Sequence, residues 1–192
     1  MTGIIEFLSQ VDTVLFHFFN GQLANPVFDK IMPVITSTGN WRPVAVLAGL
    51  FWFWKGGSKD RWAVLYAAIA WSAADLLNSS LIKTIFERPR PCLTLPDVHL
   101  LVGCGQTFSF PSGHAVTSFT LAAFLTLVYP RAKWVLFLVA FLISYSRIAV
   151  GVHYPFDILA GMLVGGLFGY FFYRLFVTQQ NFWKNKSWRG GW

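Results

Sequence analysis

The stretch KWVLFLVAFLISYSRIAVGVHYPFD, residues 133–157, decides the architecture. Between Lys133 and Arg147 no residue is charged, and an apolar run of this kind reads as a helix crossing a bilayer, which takes about 20 residues. The run closes on the polar residues Ser146, Arg147 and His153. Pro155 then marks a turn into the next apolar run, which opens on Asp157. Working outward, similar runs fall near 41–54, 62–86, 113–129, 133–152 and 155–177. The expectation is therefore an all-α, integral-membrane helical bundle with five spanning helices. Two earlier segments, 4–20 and 26–37, place apolar residues at helical spacing but are interrupted by polar ones. They read as interfacial helices, with a sixth span there as the alternative.

Composition excludes a soluble domain. Hydrophobic residues make up 55% and charged residues 12%, against about a quarter charged in soluble proteins, and mean hydropathy is +0.53. The 15 Lys and Arg exceed the 8 Asp and Glu. These cations sit at the ends of apolar runs, with no basic stripe, so loops beside a membrane explain them and nucleic acid does not. Residues 4–20 carry Glu6, Asp12 and His17 and lack a cleavage site, so no removable signal peptide is expected. Without repeats or room for a soluble module, residues 1–192 read as one membrane domain. Its parts are interfacial helices at 1–38, spans and site at 39–177, and a basic cytoplasmic tail at 178–192.

Counting cations on alternate sides of the spans sets the orientation. Lys55, Lys59, Arg61, Arg131, Lys133, Arg174, Lys184, Lys186 and Arg189 gather on one side, which the positive-inside rule makes cytoplasmic. The opposite face receives three polar blocks: Lys83 with Arg90-Pro91, then Pro111-Ser112-Gly113-His114, then Ser146-Arg147 with His153 and Asp157. Four helix ends thus meet at the periplasmic or exterior surface of what reads as a bacterial inner membrane.

Clustered ionisable groups at that depth are functional candidates. Lys83, Arg90 and Arg147 match a phosphate in charge and hydrogen-bonding geometry. Ser112 and Gly113 open a helix whose free N–H groups favour an anion. A carboxylate at Asp157 can hold one nitrogen of His153 and leave the other free to attack phosphorus, with His114 available as general acid. A metal set of His114, His153 and Asp157 is the competing reading, disfavoured by three nearby cations. For any single cation, the plainer reading is snorkelling from a helix end.

The spacings Lys-x6-Arg-Pro, Pro-Ser-Gly-His and Ser-Arg-x5-His-x3-Asp resemble the signature of the type 2 phosphatidic acid phosphatase family. That resemblance implies a phosphohistidine mechanism without metal or cofactor. In it His153 attacks, Asp157 orients His153, and His114 protonates the leaving group. Lys83, Arg90, Ser112, Gly113 and Arg147 bind the phosphoryl group. It implies a lipid phosphate or diphosphate as substrate, with membrane lipids around it and no obligatory protein partner. Candidate substrates are undecaprenyl diphosphate, phosphatidylglycerol phosphate, phosphatidic acid and lipid A phosphates. Phosphotransfer to a lipid hydroxyl is an alternative, and a non-enzymatic transporter or lipid-binding protein is another.

Four smaller expectations remain. Cys92 and Cys104 share the outer loop and are expected to be bridged. Asp75, Asn78 and Ser79 read as a polar stripe for packing between helices. His17 and His99 read as chemically idle. Arg88-Pro89, just before Arg90-Pro91, is an extra basic pair that leaves open which arginine lies nearer the phosphate.

Overall fold

A computed structural model of the chain describes residues 2–189, with side chains from 3 to 183. Its regular structure is all helical, with no strand among the described residues. In chain order the helices are α1 (Thr2–His17), α2 (Pro26–Thr36), α3 (Thr38–Lys55), α4 (Ser58–Leu77), α5 (Lys83–Phe86), α6 (Pro91–Thr94), α7 (Gly113–Val128), α8 (Lys133–Ala149) and α9 (Pro155–Arg189). The part of the expected 178–192 tail that is described continues α9 without a break. The side chains of Lys184, Lys186 and Arg189 lie outside the described residues.

Among the described residues three helical stretches are long and apolar enough to cross a membrane: Ser58–Thr94, Pro130–Ala149 and Pro155–Trp183. Gly113–Val128 is a shorter apolar helix. With Asn40, Arg42 and Lys55, α3 does not reach that apolarity, although Val44, Leu47, Phe51 and Trp54 are all exposed on it.

The centre of the bundle is α7, packed between α4, α8 and α9. Its closest partner is α9, and glycine makes that approach possible. A Cβ at Gly169 would lie 2.6 Å from the Thr120 carbonyl oxygen, and one at Gly165 would press still closer on that of Val116. Small residues of this kind let apolar helices pack backbone to backbone. At the far end Phe124, Val128, Phe172 and Phe176 close the core, while Phe16, Ala115, Ile148, Tyr154 and Ile158 form a second cluster nearer the polar helix ends.

Helix ends are set by local chemistry. Asn25 accepts from the Val27 and Phe28 N–H groups and starts α2 with Pro26 in its first turn. The expected span to residue 152 is too long: α8 stops at Ala149. Gly151 turns the chain there with a φ of +85°, and a Cβ would meet Val98 at 2.8 Å.

Both N-terminal helices are present, yet they do more than lie on a surface. Asp12, Phe16, Asn20, Met32 and Thr36 are buried against the bundle. Asn20 donates to the carbonyls of His99, Ile148 and Ala149 and accepts from the His99 N–H, so it clamps the end of α8 to the loop between α6 and α7. Asn20→Ala is expected to cost about 2 kcal/mol, because buried carbonyls lose their donor. A thermal unfolding midpoint in detergent equal to the parent's would refute the clamp.

Candidate active site

Between α4 and α5 the helix takes a π turn over Asn78–Ile82, in which the Lys83 N–H bonds the Asn78 carbonyl. Five residues of ordinary α-helix would rotate Lys83 about 140° away from Asn78. The π turn brings them near one face instead, a distortion that often marks functional sites. Both residues line a cavity of about 240 Å³, together with Arg90, Gly113, His114, Arg147 and His153. Ser112 and Asp157 sit just behind this wall, fully buried, with the Ser112 N–H on the Asp157 carbonyl at 3.0 Å. All eight residues proposed from sequence for catalysis and phosphate binding therefore gather at one end of the bundle.

Hydrogen bonding fixes the state of His153. Its Nε2 lies 3.2 Å from Arg90 Nη1, and a guanidinium can only donate, so Nε2 presents a lone pair. Its proton is therefore on Nδ1, which faces Asp157 Oδ2 at 3.3 Å. The same oxygen accepts the Tyr154 N–H at 2.9 Å, so Asp157 also closes the first turn of α9 in the manner of a capping box. Burial, with Arg147, Arg90 and Lys83 nearby, pushes the His153 pKa well below the usual imidazole range. The ring is neutral near pH 7, as a nucleophile requires.

The cations are held by backbone carbonyls and threonine hydroxyls. Lys83 Nζ donates to the Phe108 carbonyl at 2.6 Å. Arg90 donates to the Thr107 and Val152 carbonyls and to Thr107 Oγ1. His114 Nε2 donates to the Thr36 carbonyl at 3.2 Å, and Arg147 Nη1 donates to Thr36 Oγ1. Polar capacity is left over where an anion would bind. Ser112 Oγ and Arg147 Nε are buried without a hydrogen-bond partner among the described residues, and such groups are costly to leave unmatched. Ser112 precedes α7 but its side chain caps nothing, so its hydroxyl is free to donate.

Cys92 and Cys104 form a disulfide, as expected, with Cα atoms 6.1 Å apart. It closes the loop between α6 and α7 just before Thr107, the residue that grips Arg90. The two arginines now separate: Arg90 reaches the cavity and His153, whereas Arg88 bonds Asp157 Oδ1 at 2.8 Å from behind. Asp75, Asn78 and Ser79 line the cavity, a role that a packing stripe does not describe. His99 pairs with Asp29 at 2.9 Å, outside the site. Sequence reasoning missed Asp12, Thr36 and Thr107, and it named Arg88 without its contact to Asp157. Only Arg88 left a signal, as the first half of the repeated Arg-Pro.

A buried neutral imidazole, oriented by a carboxylate and facing a cavity ringed by cations in a helical membrane bundle, defines an integral-membrane phosphohydrolase. The family model of the PAP2 superfamily matches residues 62–181, and the chain belongs to that superfamily. It is 35% identical over 181 residues to a lipid A 4'-phosphatase of Bacteroides thetaiotaomicron, covering 88% of this chain and 79% of that protein. Over 152 residues it is 34% identical to the undecaprenyl-diphosphatase BcrC of Bacillus subtilis, covering 78% and 76%. The crystal structure of Aquifex aeolicus LpxE superposes with a TM-score of 0.67 at 30% identity, covering 84% of this chain and 94% of that one.

Proposed function

We propose that the protein is a lipid phosphate or diphosphate phosphatase of a bacterial inner membrane, working at the outer face through a phosphohistidine. Helices α3, α4 with α5, α7, α8 and α9 serve as five spans of one domain, with the basic loops and the C-terminus cytoplasmic. The observation that carries the reading is the Nε2 lone pair of His153, directed by Asp157 at Nδ1 and set among Lys83, Arg90 and Arg147.

In the first step Nε2 attacks phosphorus, a P–N bond forms, and the bond to the leaving oxygen breaks as His114 supplies its proton. Charge on the transferring group is met by Lys83, Arg90, Arg147, the Ser112 hydroxyl and the N-terminus of α7 at Gly113. In the second step water loses a proton to His114 and attacks phosphorus, which releases phosphate and restores His153. No metal is needed. The oxygens of Asp157 are taken by Arg88, His153 and Tyr154, and the cations oppose a further positive charge.

The reading is tested by phosphate release from undecaprenyl diphosphate, phosphatidylglycerol phosphate, phosphatidic acid and lipid A in detergent. Turnover of at least one lipid is expected, persisting in a strong chelator and inhibited by vanadate. Silence on all four, or loss of turnover in chelator, would reject it.

A further inference from the structure

Arg88 stands behind the cavity wall and joins two carboxylates from distant parts of the chain. Its Nη1 meets Asp157 Oδ1 at 2.8 Å and its Nη2 meets Asp12 Oδ2 at 2.7 Å. The guanidinium lies over the Tyr154 ring, 3.9 Å from its centroid. Asp12 is fully buried on α1, and its second oxygen accepts the Phe156 N–H at 2.8 Å. That N–H belongs to the first turn of α9 and has no partner within the helix. One carboxylate therefore grips both the arginine behind Asp157 and the helix turn that carries Asp157.

This arrangement answers a need of the proposed chemistry. Asp157 must stay ionised to hold the Nδ1 proton of His153, and it sits in a fully buried position where a carboxylate requires a positive partner. A lone arginine there would be drawn toward an incoming phosphate, which presents more negative charge than Asp157 does. Asp12 supplies the opposing anchor, and the planar fork of Arg88 fits one carboxylate on each side.

We infer that Asp12 and Arg88 are positioning residues for this reaction: Asp12 holds Arg88 and the first turn of α9 so that Asp157 stays aimed at His153 Nδ1. The inference rests on the phosphohistidine reading above. It gives α1, which lies outside the matched residues 62–181, a part in setting catalytic geometry.

The test uses the full chain in detergent and the lipid of the four above that the parent turns over fastest. Asp12→Asn keeps an oxygen for the Phe156 N–H and removes the charge that holds Arg88. Its kcat is expected to fall about 10-fold with KM within about twofold, since misplacement of a catalytic group acts on the chemical step. Arg88→Ala is expected to lose about 10²-fold in kcat, and adding Asp12→Asn to it should cost nothing more, because Asp12 acts through Arg88. Glu6→Gln, on the exposed face of α1, keeps the parent kcat.

A parent-like kcat for Asp12→Asn, a KM rise in place of a kcat loss, or an undiminished penalty in the Arg88→Ala background would each overturn this relay from Asp12 through Arg88 to Asp157. If Asp12→Asn fails to fold, Arg88→Lys decides. It keeps the charge but cannot bridge both carboxylates, so unchanged kcat there refutes the inference and a kcat-only loss supports it. His153→Ala is run alongside. If it retains turnover, the phosphohistidine reading itself is wrong; if it is inactive while Asp12→Asn and Arg88→Lys match the parent, only the relay fails.

Discussion

Replacing His153 with alanine is expected to lower phosphate release by about 10⁴-fold or more, the scale seen when a covalent nucleophile is removed. The ring is buried and its two nitrogens are committed in opposite directions, Nδ1–H to Asp157 and the Nε2 lone pair toward the cavity. No other described side chain pairs an unprotonated nitrogen with a carboxylate at this wall. His114 has its Nε2 on the Thr36 carbonyl, so it does not replace the lost group. Circular dichroism should show the same helix content, since the ring sits in a turn between α8 and α9. A second readout follows from the bond that forms. A phosphohistidine is a phosphoramidate, stable in alkali and lost in acid, so labelled lipid should leave alkali-stable, acid-labile label on the parent and none on His153→Ala. Turnover by the variant within about tenfold of the parent would remove His153 from the nucleophile's place.

The depressed pKa of His153 adds a direction with pH. Because burial and the neighbouring cations disfavour the charged ring, the neutral nucleophile persists as pH falls through the ordinary imidazole range. The acid limb of kcat/KM is thus not set by a free histidine. An incoming phosphate counteracts the cations, so the limb should shift upward in kcat relative to kcat/KM.

How much of this was legible in the sequence depends on chain distance. Lys83, Arg90, Ser112, His114, Arg147, His153 and Asp157 stand at helix ends, and apolar runs of known length bring those ends to one side without further information. The motif spacings then reflect local geometry, such as Asp157 reaching back three residues to cap Tyr154. Contacts from the first 40 residues were not legible. Asp12 meets Arg88 and Phe156, and Thr36 meets His114 and Arg147, across gaps that no periodicity spans. Amphipathic spacing revealed α1 and α2 but not that their polar residues point into the bundle. The π turn at Asn78–Ile82 was equally hidden, because hydropathy does not report an extra residue in a helical turn. Without it Asp75, Asn78 and Ser79 look like a stripe between helices. The end of α8 was overrun for a different reason: Val150 and Val152 continue the apolar pattern of the helix while packing in a turn at Gly151.

Asp157→Asn is expected to reduce kcat by about 10³- to 10⁴-fold with little change in KM, as loss of a tautomer-fixing carboxylate does elsewhere. Asp157 is surrounded by donors. Oδ2 receives His153 Nδ1–H and the Tyr154 N–H, and Oδ1 receives Arg88 Nη1. Every neighbour is a donor, so an amide NH₂ has no acceptable place. Turned toward Arg88, it sets donor against donor and leaves the guanidinium on Asp12 alone. Turned toward His153, it opposes the Tyr154 N–H and moves the imidazole proton to Nε2, where it meets Arg90 and blocks attack on phosphorus. Lys83 and Arg90 keep their backbone carbonyls and Arg147 keeps Thr36 Oγ1 in either case, which is why substrate affinity should survive. Asp157→Glu supplies the contrast: its charge is retained but its oxygens are carried about one carbon–carbon bond further, so partial activity with the parent's KM is expected. If Asp157→Asn retained the parent kcat, His153 would not need its tautomer fixed by this carboxylate, and the role of Asp157 would reduce to capping α9.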